Sequence, residues 1–323
     1  MTCTTNNRFQ HVGSYTDQLI LNSLETNLKL FLDHSFLKIG SWSDVLLDQE
    51  NLITSPLCKL EMDEDPSFKR GRVWISARKD WVYDNSIVFN NLGFLHTGPN
   101  RSPLTINSIK VNNEEVTSGY YIDYVNGRII FDQSKAPSST IKVSYSYANI
   151  QTYRSSDCNW WKIIESGIIE PKDMKSTGMG QWTIGPYHKV QMPCIVIDSV
   201  PRSRNLPYEL GSKSLKIEQD VLFNILAENK NDRNQLLDII RLQQDNTIWL
   251  FDTNKAAQDN KLPLNYNGSI NAEGLSYSSL INTYKLAKAH IKSVTLSEIL
   301  SVNGIYEGVA RATFEIIFDS LID

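Results

Sequence analysis

No segment of this chain approaches the roughly 18 consecutive apolar residues that a membrane-spanning helix needs. Met1 to Gly13 are polar, without the apolar core and cationic start of a secretion signal. The expectation is a protein that meets no membrane and either acts where it is made, in the cytoplasm, or leaves inside a larger particle. Basic clusters are missing too. With 32 Lys and Arg against 36 Asp and Glu the net charge is -4, and no patch gathers enough cations to displace the counterions of DNA. That balance argues against a dedicated nucleic-acid binder. It fits a conduit through which genomic DNA slides without specific binding.

Cysteine is scarce and scattered. Cys3, Cys58, Cys158 and Cys194 form no Cys-x-x-Cys pair, so buried or incidental thiols are expected rather than disulfides. His11, His34, His96, His188 and His290 stand far apart, with no second ligand at helical spacing and hence no metal site to predict. A Gly-x-x-x-x-Gly-Lys-Ser phosphate loop is absent, and Gly178-Met179-Gly180-Gln181-Trp182 lacks the following helix an anion site would need, so it reads as a turn. No Gly-x-Ser-x-Gly elbow presents a serine. Carboxylates are plentiful, but an acid and base pair cannot be chosen without geometry. The sequence predicts a non-enzyme without catalytic residues, cofactor or metal. A hydrolase acting on cell wall or glycan is a rival resting on those carboxylates alone.

What the sequence does contain is periodicity. Leu215, Ile217, Gln219, Val221, Phe223, Ile225 and Ala227 alternate with Lys216, Glu218, Asp220 and Asn224, as in a half-buried strand. Cys194 to Ile197 is a short apolar run, and Pro201 to Gly211 is a breaker-rich connection between strands. Asn231 is placed to cap a helix with Leu236, Leu237, Ile240 and Leu242 mainly on one face. Ile248 to Phe251 reads as a buried strand. Near the N-terminus, Thr16 or Asp17 caps a helix in which Ile20, Leu24, Leu28 and Leu32 recur every fourth residue, joined by Leu21 and Phe31. Such a stripe must be buried against a sheet. The chain closes on Ala310, Ala312, Phe314, Ile316 and Phe318, alternating with Arg311, Thr313 and Glu315, a strand regular enough to be paired in a sheet.

Arg72 to Ser76 and Trp81 to Phe89 look like short strands, separated from the N-terminal helix by a mixed stretch that ends in the acidic run Glu61 to Asp65, a solvated loop. After the breakers of Thr97 to Pro103, short strands follow at Ile106 to Val111, Val116 with Tyr120 to Val125, Arg128 to Phe131 and Ile141 to Tyr147. Asn126-Gly127 supplies a two-residue turn of the kind hairpins favour. The reading is an α+β protein: a mixed or antiparallel sheet packed by two helices over 1–94 and 152–323, with a small all-β module inserted at 95–151. Tyr120, Tyr121, Tyr124, Tyr145 and Tyr147 of that module could form a platform for sugar rings, or be half core and half cross-strand pairs.

A strand ending in Val200-Pro201-Arg202-Ser203-Arg204, then Pro207-Tyr208-Glu209-Leu210-Gly211, the long alternating strand, the Arg233 to Ile240 helix and Ile248 to Asp252 together resemble the neck and tail-terminator proteins of tailed bacteriophages. Val111 to Phe131 is similar to β modules common in phage virion proteins. The resemblance implies a virion protein assembled in the host cytoplasm, forming a homo-oligomeric ring of six copies at the head-to-tail junction, against tail-tube, sheath or connector proteins. Its functional residues would be contact residues. The turn carrying Arg202, Arg204, Tyr208 and Glu209 is the candidate subunit interface, since arginine and tyrosine are favoured there; a solvated loop is the plain alternative. The tyrosines of the β module leave open a peripheral virion protein for fibre attachment or glycan-receptor binding.

Overall fold

The computed structural model describes residues 17–47, 56–64, 67–89, 100–165, 174–178, 180–184, 188–200, 204–207, 215–299 and 304–318. Within them the chain is mostly β, in largely antiparallel sheets, with few helices. It opens with α1 (Asp17–Lys38), β1 (Trp42–Val45), β2 (Lys59–Met62) and β3 (Val73–Ile75). Short strands follow: β4 (Ile109–Val111), β5 (Glu114–Val116), β6 (Tyr120–Asp123), β7 (Arg128–Phe131), β8 (Ile141–Val143) and β9 (Tyr145–Ala148). The middle holds β10 (Gln151–Arg154), α2 (Asn159–Glu165), β11 (Lys175–Gly178), β12 (Gln181–Ile184), β13 (His188–Gln191), β14 (Cys194–Ser199), β15 (Arg204–Pro207) and β16 (Leu215–Ala227). The last third holds α3 (Lys230–Arg241), β17 (Thr247–Phe251), α4 (Thr253–Gln258), α5 (Tyr277–Thr283), β18 (Lys285–Glu298) and β19 (Tyr306–Phe318).

The larger sheet runs β10-β14-β16-β19-β18-β17, with β15 also on β16. Its spine is β16, which pairs along its whole length with β19, from Leu215 opposite Phe318 to Ala227 opposite Tyr306. The closing strand is therefore central, which explains why its alternation is so regular. One face of this sheet carries Ile217, Val221, Phe223 and Ile225 of β16 with Ala310, Ala312, Phe314 and Ile316 of β19. Leu24, Leu28, Leu32 and Phe36 of α1 and Leu236, Leu237 and Ile240 of α3 belong to the same buried cluster. At roughly 1.5–3 kcal/mol for each large apolar side chain taken out of water, this stripe-to-face contact outweighs any helix propensity. The side chains of Ile20 and Leu21 lie outside the described residues.

Over β14 the sheet is covered on both sides. Ile195 and Ile197 join the helical cluster, whereas Cys194 and Val196 belong to a second one with Trp160 and Trp161 of α2, Trp182 and Ile184 of β12 and Val190 of β13. Burial on both faces is why Cys194 to Ile197 is uniformly apolar while β16 alternates. The strands β11, β12 and β13 form a three-stranded sheet, and Gly178 and Gly180 at its first turn both have positive φ.

The smaller sheet runs β5-β4-β8-β2-β3-β7-β6. It reaches back across the boundary expected at Leu95, because β2 and β3 are its middle strands, and a separate two-stranded sheet of β1 on β9 crosses the same boundary. Its core, with Leu60, Trp74, Trp81, Ile129, Phe131, Ile141 and Tyr145, draws on both sides of that boundary. Leu60 and Trp74 lie too far before the breaker cluster for local patterning to join them to it.

Four local expectations are corrected. The helix after β16 is capped by Asn229, whose side chain accepts from the Asp232 amide at 2.8 Å; Asn231 lies within the first turn. Leu242 is 78% exposed at the C-cap, off the buried face. Trp81 to Phe89 is no strand: only its two ends make isolated bridges, to Tyr147 and Arg101. Finally, Asn112 and Asn113, at φ 51° and 69°, form the two-residue turn with both centres at positive φ, between β4 and β5. At Asn126-Gly127 only the glycine has positive φ, and the Asp123 carboxylate shapes the loop by accepting from the Asn126 amide at 3.1 Å and Arg128 Nε at 2.8 Å.

Candidate functional site

Beside its apolar stripe, α1 carries a second row, Glu25, Lys29 and Asp33, also four residues apart. The helix repeat puts that row on one face, where it meets the ends of β10 and β14 and the segment that begins at Lys79. Glu25 accepts from the Ser199 amide at 3.1 Å, and burial raises its pKa, with nearby Asp198 adding to the effect against the hydrogen bonds from Ser199. Lys29 Nζ donates to Asp33 Oδ2 at 2.7 Å, and Thr152 Oγ1 donates to the other oxygen of Asp33. Arg154 grips Asp157 through Nε and Nη2 at 2.7 and 2.8 Å and donates to Thr26 Oγ1 at 2.6 Å.

Asp80 completes the group from the irregular segment between β3 and β4. It sits at φ 53°, its amide donates to Val125 O at 3.1 Å, and its carbonyl accepts from the Ala148 amide at 2.9 Å. Backbone bonds to two separate segments hold this left-handed residue in place. Asp33 and Asp80 line one small cavity of about 40 Å³ together with His34 and Tyr83. Lys29 and Asp80 also line a wider cleft of about 300 Å³, walled by Lys79, Gln151 to Arg154, Trp160 and Lys189. Burial and the neighbouring Asp33 push the Asp80 carboxyl up to about 7, against the pull of Lys29. Lys29 stays charged: burial works against its ammonium, but Asp33 and Asp80 outweigh it and its pKa is raised.

A second surface lies on the side of the large sheet away from α1 and α3. There Lys216 pairs with Glu315 at 2.6 Å and Lys292 with Glu218 at 2.8 Å, while Arg311 pairs with Asp220. Trp249 of β17 lies on the same face, with the ammonium groups of Lys285 and Lys288 at 3.5 and 4.7 Å from its ring. Amphipathic alternation in β16 and β19 makes this face polar.

Of the expected interface turn, Arg202, Tyr208 and Glu209 lie outside the described residues. For Arg204 only the backbone is described, opposite Glu218 as the first residue of β15. The five tyrosines do not come together as one platform. Tyr145 is fully buried, stacked on Trp81 at 4.5 Å with its hydroxyl donating to Leu57 O at 3.0 Å. Tyr124 and Tyr147 are buried as well, Tyr147 beneath the Arg78 guanidinium at 4.9 Å. Tyr120 packs edge-on against Phe131 at 6.0 Å, and its neighbour Tyr121 is half-buried on the opposite side of β6.

Among the described residues no group of three or more His, Cys, Asp and Glu is placed to hold a metal ion, and no helix is long and apolar enough to cross a membrane. Cys58, Cys158 and Cys194 are buried free thiols; burial pushes Cys158 up to about 12. Cys3 lies outside the described residues. The Glu25, Lys29, Asp33 row was readable in sequence as a polar period beside an apolar one. Asp80 carries no local signal that would join it to them. No known family model matches the chain, and a search of curated proteins found no match.

Proposed function

We propose that the chain is a structural subunit of a tailed-phage virion, a neck or tail-terminator protein that assembles with its own copies into a ring at the head-to-tail junction. The main domain on this reading is a sheet packed by α1 and α3, and the smaller sheet is a module set into it. One observation carries the proposal. Of the segments that bear the resemblance, those within the described residues fall on β14, β15, β16, α3 and β17, parts of a single sheet and the helix packed on it. The other face of that sheet offers alternating charges and the Trp249 patch to a neighbour.

Ring closure needs a heterologous contact between two different surfaces of the subunit. The segment carrying Arg202, Arg204, Tyr208 and Glu209, read in the sequence as a turn but forming strand β15 over Arg204–Pro207 against β16, is one of them. The ring, of six copies, meets tail-tube, sheath or connector proteins and passes DNA without binding it specifically. Mass photometry of the wild type and of Arg202→Ala with Arg204→Ala at matched concentration tests this. The double variant is expected to lose rings while its melting temperature barely moves; unchanged ring populations remove the segment from the interface. A purely monomeric wild type that binds selectively on a glycan array points instead to a receptor-binding virion component.

A further inference from the structure

The segment after β3 brings Arg78 to an open pocket of about 360 Å³, which it lines together with Tyr147, Asn149, Gly180 and Glu228. Its guanidinium lies over the ring of the buried Tyr147, 4.9 Å from the centroid. Gly180 leaves room for the far end of the group. A Cβ at that position would stand 3.0 Å from Arg78 Nη1 and 2.7 Å from the Met192 carbonyl, and the residue sits at φ 79°. The glycine loop, which has no helix to offer an anion, thus makes space for a cation. The polar side of this arrangement is incomplete. Arg78 Nε is buried without a hydrogen-bond partner, and among the described residues no ion pair involves Arg78. Glu228 is held elsewhere, accepting from Trp182 Nε1 at 2.8 Å, and Asn149 Oδ1 accepts from Ser43 Oγ at 2.7 Å. A guanidinium cannot shed its proton to relieve the deficit, so the cost of the covered nitrogen is borne in the charged form. Exceptions of this kind are expected where a group is kept for a ligand.

We propose that this pocket binds a carboxylate, gripped by the two terminal nitrogens of Arg78 and carried either by a small free acid or by an acidic side chain of another chain. The observations are the open pocket, the guanidinium stacked on Tyr147, the glycine that clears its Nη1 end, and the absence of any acid paired with it among the described residues. A planar fork matches a planar carboxylate through two parallel N–H···O bonds, a geometry that a lysine cannot supply. With Nε covered, the Nη pair is the end left to make those bonds. Stacking on the ring orients the fork in advance, so less rotamer freedom is lost when the ligand arrives. Glu228 sets the charge of that ligand. With one carboxylate already on the wall, a monoanion meets less repulsion than a phosphate dianion. The site requires no ring, and it stands or falls separately from the assembly proposed above.

NMR titration of the full ¹⁵N-labelled chain at neutral pH and matched ionic strength tests the site. Three probes are compared: acetate, a Gly-Glu-Gly peptide blocked at both ends, and inorganic phosphate. A carboxylate is expected to give saturable shifts at the Arg78 side chain and at the Gly180 and Asn149 amides, at lower concentration than any response to phosphate. Arg78→Lys keeps the charge but loses the fork, and should weaken binding on the order of tenfold or more. Arg78→Met should abolish it. Cross-peaks from β16 and β19 that stay in place show that both variants are folded. Acetate and peptide acting alike identify a free acid as sufficient; a response to the peptide alone identifies an acidic side chain of another chain. No saturable response of the wild type to either carboxylate, tighter binding of phosphate than of both, or an Arg78→Lys variant that binds like the wild type would each overturn the site.

Discussion

The Asn27 side chain makes two hydrogen bonds to the backbone of Phe251: its Nδ2 donates to the Phe251 carbonyl at 3.0 Å, and its Oδ1 accepts from the Phe251 amide at 2.9 Å. One amide group thus takes the place of a strand neighbour at the end of β17, in a site only 1% exposed. Replacing Asn27 by Leu leaves both backbone groups of Phe251 buried without these partners. At about 1–3 kcal/mol for each orphaned polar group, a loss of roughly 2–4 kcal/mol is expected. Urea unfolding of the variant measures it; a change under about 0.5 kcal/mol would show that water reaches the site.

Gly308 allows α3 to lie close on β19. A methyl group there would come within 2.9 Å of Leu237 Cδ1 and 3.3 Å of Arg233 Cγ, and Arg233 is itself 3% exposed and paired with Glu298 at 3.0 Å. Gly308→Val is expected to cost about 1–3 kcal/mol through overpacking. Combining it with Leu237→Ala should cost less than the two single changes added together, because the truncated side chain makes room. Simple additivity in a double-mutant cycle would count against this contact.

The cap of α3 gives a paired test. Asn229→Ala should lower stability by about 1 kcal/mol, since its side chain holds the Asp232 amide. Asn231→Ala, inside the first turn, should stay within about 0.5 kcal/mol. Thermal melts of the two variants side by side decide between them, and a reversed order would restore Asn231 as the cap.

Asp220 supplies a pH dependence opposite in sign to that of Asp80. Partial burial works to raise its pKa, but hydrogen bonds from Arg311 and Thr313 and the Arg311 charge outweigh it, and the carboxyl sits below its ordinary value. A depressed acid adds stability above its unfolded pKa, and that contribution is lost as pH falls through the folded one. Arg311→Ala should therefore destabilise at pH 7 and converge on the wild type in acid. With the Arg311 side chain 59% exposed, the effect should stay below about 1 kcal/mol and shrink with salt. Curves that run parallel down to pH 2 would mean that Asp220 is not the group responsible.

Elements whose partners impose a clean period could be read in the sequence. Leu215 to Ala227 comes out as the expected strand because one face is buried and the other open, and the α1 stripe is legible for the same reason. The smaller sheet was only half legible: β2 and β3 are three or four residues long and pair with strands far along the chain, so no local pattern announces them. Turn chemistry misled at Asn126-Gly127 because Asp123 organises that loop from outside the two residues. Asp33 and Asp80 line one small cavity, and only the packing of a distant segment against α1 brings them to it. The row Glu25, Lys29 and Asp33 was there to be seen, but an apolar stripe draws attention first.

The continuous register of β16 on β19 also decides how the molecule carries a mechanical load. Its hydrogen bonds lie across the strands, so tension drawn along one strand against the other is resisted by all 13 residue pairs at once, in shear. Tension applied across the strands at one end would open the same pairs one after another. The direction of pull, more than the number of bonds, sets the force at which this sheet yields, and a subunit under axial tension is strongest when β16 and β19 lie along that axis.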